Sequence, residues 1–473
     1  MATYTVPLLI DGLSVETEET FSVLNPNDGS ELWKAFGASA VEAEKAAAAA
    51  QAAFPVWSGL NYMERRDLLN KAADQMAECL DEMKQYVTLE TAAPPEWTAF
   101  DCETTVLLLR ECAARQSTIQ GDSPPLLDPQ ATALIERVPY GVVLGIAPWN
   151  AAALLGTRAI VFALAAGNTV ILKASELSPR THFLLGECFR KAGFPPGVVN
   201  VVAHSPEKGP EVIGALIKHP AVKKINFTGS TAVGRIISKL AAQELKPVLL
   251  ELGGKAPLIV LDDADLEGAA AATAAGSNFH AGQVCMATER VIVLESVAAQ
   301  FEEILKQTYA KLYPPGTKHQ PAVRPSGAKK VHELVQDALN NGATVVAGTP
   351  GFADSDNRSV APIVLKNVQQ SRVYREESFG PALSLIVVPT VEEAIAVAND
   401  TEYGLSAAVW GSLSKALAVA RKIESGAVHI NGSTIYDEPT LPHGGMKSSG
   451  NGRFGSSWGI SEFLTTRMIK FKA

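Results

Sequence analysis

Apolar residues recur at helical spacing in two stretches near the N-terminus. Residues 41–56 are rich in alanine, and in residues 62–89 apolar side chains return every three or four positions. Apolar residues at this period form one face of an amphipathic helix. We therefore predict a helix over each stretch, followed by a loop at Ala93, Pro94 and Pro95.

From Tyr140 onward the pattern changes to short apolar runs that end at glycine or proline, each followed by a helical pattern. Strands that alternate with helices at this spacing form right-handed βαβ units and a parallel sheet. The predicted strands of this first series are residues 142–146, 169–172, 199–202, 224–227 and 247–250.

A second series of the same kind begins at Pro257. Its later strands are predicted at residues 345–346, 382–388 and 407–409, and its helices at residues 298–311, 330–340 and 391–398. Two such series predict two α/β domains, each with a parallel sheet.

Two further segments alternate apolar and polar residues. Residues 124–138 also contain Pro124, Pro125 and Pro129, which favours an exposed hairpin over a sheet interior. Residues 463–471 alternate in part. We expect both segments to pair with a neighbouring subunit.

The composition is that of a globular protein with room for two or three domains. The chain has 473 residues, of which 47% are hydrophobic and 19% charged. A formal net charge of -9 without a lysine or arginine run argues against nucleic acid as a partner. No apolar stretch is long enough to span a bilayer, and the N-terminus lacks a signal pattern. We expect a cytoplasmic protein with no membrane partner.

The chain has five cysteines, an odd number, with no C-x-x-C pair and no histidine at metal-ligand spacing. This predicts free thiols in a reducing compartment and no metal site. For each cysteine the ordinary interpretation is a small buried apolar side chain. They are Cys79, Cys102, Cys112, Cys188 and Cys285.

Cys285 differs from the others because it follows a glycine-containing turn, FHAGQV at residues 279–284. Such a turn lets the backbone approach a ligand closely. Because the thiolate is the attacking species, a nucleophilic Cys285 needs nearby N–H dipoles or cations that lower its pKa.

Two polar residues end predicted strands of the first series. Glu251, in LELGGK at residues 250–255, lies at the boundary between the predicted domains. Burial there raises a carboxyl pKa toward the range of a general base, and the alternative is a surface pair with Lys255. Asn150, in IAPWN at residues 146–150, suits an oxyanion hole or, alternatively, a helix N-cap.

A fourth segment, FTGSTAVG at residues 227–234, joins a strand to a helix that we place near Val233. Helix N-termini with small residues accept phosphates, so a dinucleotide is expected here. The spacing is neither G-x-G-x-x-G nor a Walker A motif.

Together and in this order, these four segments resemble the aldehyde dehydrogenase superfamily, over nearly the whole chain from about Leu24 onward. Further matches are LKASE at 172–176, EESFGP at 376–381 and LPHGGMKSSG at 441–450. The resemblance implies an α/β fold with two Rossmann-type domains and a small β oligomerisation element, in a homodimer or homotetramer. We place the NAD(P)-binding domain at residues 1–118 and 140–250, the catalytic domain at 251–440, and the oligomerisation element at 119–139 and 441–473.

The resemblance also implies the chemistry. The Cys285 thiolate attacks an aldehyde, and the Asn150 amide and the Cys285 N–H meet the oxyanion. Hydride then passes to the nicotinamide, and Glu251 activates the water that hydrolyses the thioester. The resemblance implies that Lys173 and Glu176 hold the adenosine ribose, that Gly229 and Ser230 face the pyrophosphate, and that Glu377 and Phe379 place the nicotinamide. Gly234 and Trp149 are also expected to bind the cofactor.

Glu176 bears on the choice of cofactor. A carboxylate accepts hydrogen bonds from a ribose 2′-OH but repels a 2′-phosphate. We therefore expect NAD as the cofactor, with NADP as the alternative.

The turn FHAGQ at 279–283 and GRFG at 452–455 are similar to the branch with vanillin, benzaldehyde and salicylaldehyde dehydrogenases. This favours an aromatic or conjugated aldehyde. The family commonly has Pro at Ala174, Phe at His443 and Glu at Phe454. Arg158 either binds a hydroxyl or carboxylate of the substrate or forms a salt bridge at the pocket wall. The expected substrate pocket comprises Ala151, Leu154, Leu155, Arg158, Tyr436 and His443.

Three other functions compete with this reading. A cysteine hydrolase that pairs Cys285 with His280 needs no dinucleotide, and reduction of NAD on mixing with aldehyde separates the two. An enzyme that passes the thioester to coenzyme A is distinguished by coenzyme A dependence. A non-enzymatic role has no use for Cys285, Glu251 and Asn150 together.

Overall fold

The computed structural model describes residues 4–472 and contains two large sheets. The first sheet has eight strands, of which the five central ones are parallel. Every strand predicted in the first series is present, and some extend a residue or two further. From edge to edge the strands are Gly450–Asn451, Val248–Glu251, Val222–Thr228, Val142–Ile146, Thr169–Lys173, Val199–Val202, Leu8–Ile10 and Leu13–Val15.

Helices pack around the first sheet. The predicted helix at 41–56 is confirmed, but the one at 62–89 is wrong in its continuity because Cys79 leaves helical geometry, with φ -101° and ψ 19°. A new helix with two acidic residues in its first turn starts after it. The helices are Ala40–Ser58, Tyr62–Glu78, Leu80–Thr91, Pro95–Ala114, Ala152–Ala165, Pro179–Lys191, Gly209–Lys218 and Thr231–Gln243.

The second sheet has seven strands, all within residues 256–430, and only its first edge strand is antiparallel. Its strands are Thr344–Gly348, Ile363–Lys366, Ala382–Val388, Thr288–Leu294, Ala256–Val260, Ser406–Trp410 and Ala427–Ile430. The accompanying helices are Leu266–Asn278, Glu295–Leu312, Pro325–Asn340, Val391–Asn399 and Leu413–Ala420. Two parallel α/β sheets confirm the predicted fold class.

Shorter elements complete the fold. Thr5–Val6, Glu31–Phe36 and Thr20–Leu24 form a small sheet, and Tyr403–Gly404 pairs with Met446–Lys447. The 3-10 helices are Gln116–Thr118, Pro206–Lys208, Phe279–Gly282 and Arg372–Tyr374. Within residues 4–472, no helix combines the length and apolar character needed to cross a membrane.

The two alternating segments pair with each other. Ala131–Pro139 runs antiparallel to Leu464–Lys472, and the predicted exposed hairpin at 124–138 is present only as an antiparallel bridge between Asp122 and Ile135. The alternation indicated strands, but the partner strand comes from the other end of the same chain. Leu134, Met468 and Phe471 are exposed on this two-stranded ribbon.

The C-terminal segment does more than form this ribbon. Gly450–Asn451 adds an edge strand to the first sheet, antiparallel to Val248–Glu251. The helix Ser456–Glu462 packs against the Ala152–Ala165 and Pro95–Ala114 helices. Residues 441–473 are therefore not one separate element, and the other domain boundaries stay predictions.

Candidate active site

A cleft of about 290 Å³ lies between the two sheets. The carboxyl ends of parallel strands are where α/β proteins bind ligands, and two such ends of the first sheet open into this cleft. The second half of the chain closes the other side. Predicted site residues that line the cleft are Trp149, Asn150, Leu155, Gly229, Ser230, Glu251, Cys285, Glu377 and Phe379.

A tight turn presents Cys285 to the cleft. His280 and Ala281 have left-handed backbone, with φ of 50° and 54°, and Gly282 follows with φ 72°. A side chain at Gly282 would collide with the Gly380 backbone, so glycine is required there. Gly254 likewise leaves room for the carbonyl of Cys285. The sulfur is thereby fixed against the end of the first sheet.

Burial raises the pKa of the Cys285 thiol well above its usual value, and the Glu251 and Glu377 carboxylates raise it further. Arg158 lowers it, but by less. The nearest charged groups among the described residues are anions, so the lowering of this pKa that a nucleophilic Cys285 needs stays a prediction.

Glu251 is the last residue of its strand and is 1% exposed. Its Oε1 atom has no hydrogen-bond partner among the described residues. The alternative pairing with Lys255 does not form, because Lys255 pairs with Glu289. Glu251 is thus a buried carboxylate with a free oxygen beside the thiol.

Asn150 is held at both its backbone and its side chain. The Trp97 indole donates a 2.7 Å hydrogen bond to the Asn150 carbonyl, and Asn150 Nδ2 donates a 3.0 Å bond to the Gln283 carbonyl. An amide nitrogen carries two protons, so one remains for a ligand. Asn150 is not the N-cap of the next helix, which is Ala151.

The buried ion pair of Lys255 and Glu289 holds the segment 377–379 in place. Lys255 and Glu289 are 1% and 3% exposed, and Glu289 also accepts hydrogen bonds of 2.8 and 3.1 Å from the Ser378 and Phe379 N–H groups. Phe379 lies edge-on to Trp149 at 5.9 Å between ring centroids.

The Glu377 carboxylate in this segment accepts a 2.8 Å hydrogen bond from the Gly254 N–H. Burial and the neighbouring Glu289 raise the pKa of Glu377 to about 7. Glu377 and Phe379 line the same cleft as Cys285, and their contacts with the nicotinamide ribose and ring stay predictions.

Lys173 and Glu176, predicted to bind the adenosine ribose, do not line the cleft themselves and lie next to it, beside Arg324. The Lys173 ammonium is buried and lies 3.6 Å from a Glu176 carboxylate oxygen. The other Glu176 oxygen binds Arg324, which lines the cleft and precedes the Pro325–Asn340 helix. Sequence reasoning missed Arg324 because the predicted helix began at residue 330.

The Thr231–Gln243 helix points its N-terminus at the cleft, and Ser230 is its N-cap. Gly229 and Ser230 line the cleft, as predicted. Gly234 does not line the cleft. A Cβ atom at this position would lie 2.6 Å from the Leu252 side chain. Gly234 allows the helix to pack closely against the first sheet. A helix N-terminus at a cleft suits a phosphate, so this geometry favours the predicted dinucleotide site, and the role of each residue in it stays a prediction.

The Ala152–Ala165 helix forms the wall behind Asn150. The buried Asp101 carboxylate accepts hydrogen bonds from the Ala153 and Leu154 N–H groups at 3.2 and 2.7 Å. Burial raises the pKa of Asp101 to about 7. Leu155 lines the cleft, while Ala151 and Leu154 are buried behind it.

Arg158, on the same helix, is 4% exposed and forms an ion pair with Asp437. The structure therefore shows the salt bridge at the pocket wall, and contact with substrate stays a prediction. Asp437 in turn lies 3.8 Å from His443 Nδ1, and His443 Nε2 lies 3.9 Å from Glu251 Oε1. Tyr436 is half exposed, donates to Glu438 and does not line the cleft.

His280 does not support a cysteine hydrolase. Its ring stacks on Trp97 at 5.5 Å and binds Gln320 at 2.7 Å. Burial lowers the pKa of His280 to about 3. No hydrogen bond joins it to Cys285 in the part of the chain that the structure describes, and within that part no cluster of His, Cys, Asp and Glu is arranged to hold a metal.

Comparison with known proteins agrees with this geometry. Residues 14–469 match the aldehyde dehydrogenase family. The chain is 45% identical to vanillin dehydrogenase of Pseudomonas sp. strain HR199, over 98% of this chain and 97% of that protein. The crystal structure of a salicylaldehyde dehydrogenase from Pseudomonas putida G7, complexed with salicylaldehyde, superposes with a TM-score of 0.95 at 38% identity, covering 99% and 98% of the two chains. An NADP-dependent enzyme of Escherichia coli also reaches 0.95, at 34% identity and the same coverage.

Proposed function

The chain belongs to the aldehyde dehydrogenase family, and on that premise we propose that it oxidises an aromatic aldehyde to its carboxylic acid through a thioester on Cys285. Family members use NAD or NADP. The observation that carries the proposal is the meeting of Cys285, Glu251 and Asn150 in one cleft.

The reaction begins at the sulfur. Cys285, as the thiolate that remains once its thiol proton has passed to solvent, forms a bond to the aldehyde carbon, and the oxyanion that results accepts hydrogen bonds from Asn150 and the Cys285 N–H. Asn150 is ready for this role because its Gln283 bond fixes the amide and leaves one proton free. When bound, the oxidised nicotinamide accepts a hydride and brings a positive charge to the cleft.

Glu251 acts in the second half of the reaction. Its unpartnered Oε1 takes a proton from water, which attacks the thioester and breaks the carbon–sulfur bond. The carboxylic acid leaves and the Cys285 sulfur is released. Because Glu251 can activate water next to the sulfur, it favours hydrolysis of the thioester over transfer of the acyl group to coenzyme A.

Two variants test these roles. We expect Cys285→Ala to lose nicotinamide reduction altogether. We expect Glu251→Gln to keep a burst of one reduced nicotinamide per site and then to turn over about 10²- to 10⁴-fold more slowly. Stopped-flow absorbance measures both, and intact-mass spectrometry of the quenched Glu251→Gln enzyme should show the acyl group on Cys285. An unimpaired steady state in Glu251→Gln contradicts the role given to that residue.

The aromatic substrate is proposed from the relatives that act on vanillin and salicylaldehyde by name. The wall of the cleft near Asn150 is apolar at Leu155, and Trp149 and Phe379 add aromatic faces. A panel of aromatic, aliphatic and polyunsaturated aldehydes, ranked by kcat/KM, tests it. Equal values for a short aliphatic and an aromatic aldehyde would refute the preference.

NAD is proposed as the preferred cofactor because the Glu176 carboxylate disfavours a 2′-phosphate. Arg324 reduces this discrimination, since it neutralises Glu176 and lies where a 2′-phosphate would find a cation. Isothermal titration with NAD and NADP measures the ratio. Tighter binding of NADP than of NAD would refute the preference.

A homodimer or homotetramer in the cytoplasm completes the proposal. The ribbon of Ala131–Pro139 and Leu464–Lys472 leaves Leu134, Met468 and Phe471 exposed, which favours a covering partner subunit. Light scattering of the wild type and of Met468→Glu tests the assembly. A monomeric wild type would refute it.

A further inference from the structure

A buried chain of charged and titratable side chains runs away from Glu251. Arg158 binds Asp437, Asp437 lies 3.8 Å from His443 Nδ1, and His443 Nε2 lies 3.9 Å from Glu251 Oε1. The side chains of all four residues are at most 9% exposed. The mechanism above uses only Glu251.

Glu251 needs such a neighbour because of where it lies. After it takes a proton from water, it must lose that proton before the next turnover. At 1% exposure the carboxyl group has little direct contact with solvent, and its Oε1 has no hydrogen-bond partner. The imidazole of His443 faces this oxygen at 3.9 Å, and the Cys285 sulfur is another titratable neighbour of the same carboxylate.

A carboxylate on the other side of the His443 ring can stabilise a positive charge on the imidazole. The Arg158 guanidinium holds the pKa of Asp437 below its usual range although burial opposes this, so an anion faces His443 Nδ1. In the tautomer that donates Nδ1–H to the Asp437 carboxylate, Nε2 has the lone pair that can accept a proton from a Glu251 carboxylic acid. Movements of about 1 Å bring both contacts within hydrogen-bonding distance.

Resting on the proposed function, we propose that His443 accepts the proton that Glu251 takes from the hydrolytic water and thereby restores Glu251 as a base. The O–H bond of the Glu251 carboxyl breaks and an N–H bond forms at Nε2. Asp437 stabilises the imidazolium, which then releases the proton to solvent. His443 acts through Glu251 and is a positioning residue, while Arg158 and Asp437 keep its ring oriented and its neighbour charged.

The pH dependence of this step has a definite sign. Around His443 and its two carboxylates lie Arg158, His429 and Cys285. Arg158 is paired with Asp437, Cys285 is acylated during hydrolysis, and burial together with His443 lowers the pKa of His429. Only a neutral imidazole accepts a proton, so a relay through His443 should make steady-state hydrolysis slower in acid than at neutral pH.

The experiment isolates hydrolysis without cofactor. p-Nitrophenyl benzoate acylates the Cys285 thiol and releases p-nitrophenolate, whose absorbance follows steady-state ester hydrolysis at pH 5 to 9, while intact-mass spectrometry follows the first loss of the benzoyl group. We expect His443→Gln and His443→Phe to leave the first loss of the benzoyl group unchanged, to lower the steady-state rate constant of hydrolysis about 10²-fold and to weaken its dependence on pH in the acid range. His332→Gln, a histidine that stacks on Phe352 and does not line the cleft, is the control and should match the wild type.

Thermal unfolding of each variant shows whether it is folded. If His443→Phe is unstable, His443→Gln replaces it in the test because it keeps polar atoms at this position. Folded His443 variants with the wild-type steady-state rate constant and pH dependence overturn the inference, as does a change in the KM for aldehyde alone. The proposed function fails differently: no benzoyl group would appear on Cys285, or Glu251→Gln would hydrolyse it at the wild-type rate.

Discussion

Replacing Lys255 by methionine tests how the fold positions the 377–379 segment. Methionine has a similar length and removes only the charge. It leaves Glu289, which is 3% exposed, as a buried carboxylate without a cation. Breaking a buried ion pair by removing one partner costs about 3–5 kcal/mol.

That cost has a local consequence. Glu289 accepts hydrogen bonds from the Ser378 and Phe379 N–H groups. If its carboxylate takes up a proton or moves toward water, these bonds are lost and the segment with Glu377 and Phe379 is released. We expect Lys255→Met to lower the free energy of unfolding by about 3–5 kcal/mol. We also expect affinity for NAD to fall by at least about 10-fold, because one lost hydrogen bond is worth about 1.4 kcal/mol or more when an acceptor is charged.

Urea unfolding followed by tryptophan fluorescence measures the stability, and isothermal titration measures NAD binding. The matched control is Lys255→Met with Glu289→Gln, which removes the second charge and keeps one acceptor for the segment. It should recover most of the stability and part of the affinity. A single variant as stable as the wild type, with unchanged affinity, would refute the argument that this pair supports the segment.

Three further predictions follow from charges at the site. Arg324→Ala should shift the NADP to NAD affinity ratio toward NAD by about 10-fold, since Glu176 then keeps its full charge; an unchanged ratio in titration contradicts this. Glu251→Gln should speed iodoacetamide alkylation of Cys285 at pH 8, because burial and then the Glu251 charge raise the pKa of the thiol and the variant removes that charge; slower alkylation would mean that Glu251 activates the thiol. Burial raises the pKa of Asp101 to about 7 from 3.8, so wild type should lose up to about 4 kcal/mol of stability relative to Asp101→Asn as pH rises from 4 to 7, at about 1.4 kcal/mol per pH unit. Parallel urea titrations at pH 4.5 and 7.5 check this, and a constant difference between the two proteins counts against it.

The sheets could be predicted because their strands are almost wholly apolar. Val142–Ile146 and Thr169–Lys173 are buried at every position, and a glycine, Gly141 or Gly167, lies just before each of them. The Pro95–Ala114 helix was missed for the opposite reason. Its buried face includes Thr98, Asp101 and Thr105, so apolar residues alone do not mark that face.

Strand pairing between distant segments could not be predicted from local pattern. Alternation marked Ala131–Pro139 and Leu464–Lys472 as strand-like, but Glu136 and Arg467, which join across the ribbon, are 331 positions apart. An alternating segment carries no signal for its partner, because any exposed edge offers the same backbone hydrogen bonds. The same limit applies to Arg158 and Asp437, which are 279 positions apart.

The two histidines near the site show why sequence distance misleads. His280 stands close to Cys285 in the sequence, yet the left-handed backbone at residues 280 and 281 turns its ring onto Trp97. His443 is far along the chain, but the chain returns to the first sheet a few residues later, where Gly450 pairs with Glu251 in antiparallel strands. The strand pairing that closes the sheet is therefore what brings an imidazole to the buried carboxylate. Closeness in sequence determines only which residues are backbone neighbours. Sheet topology determines which distant side chains come together in space.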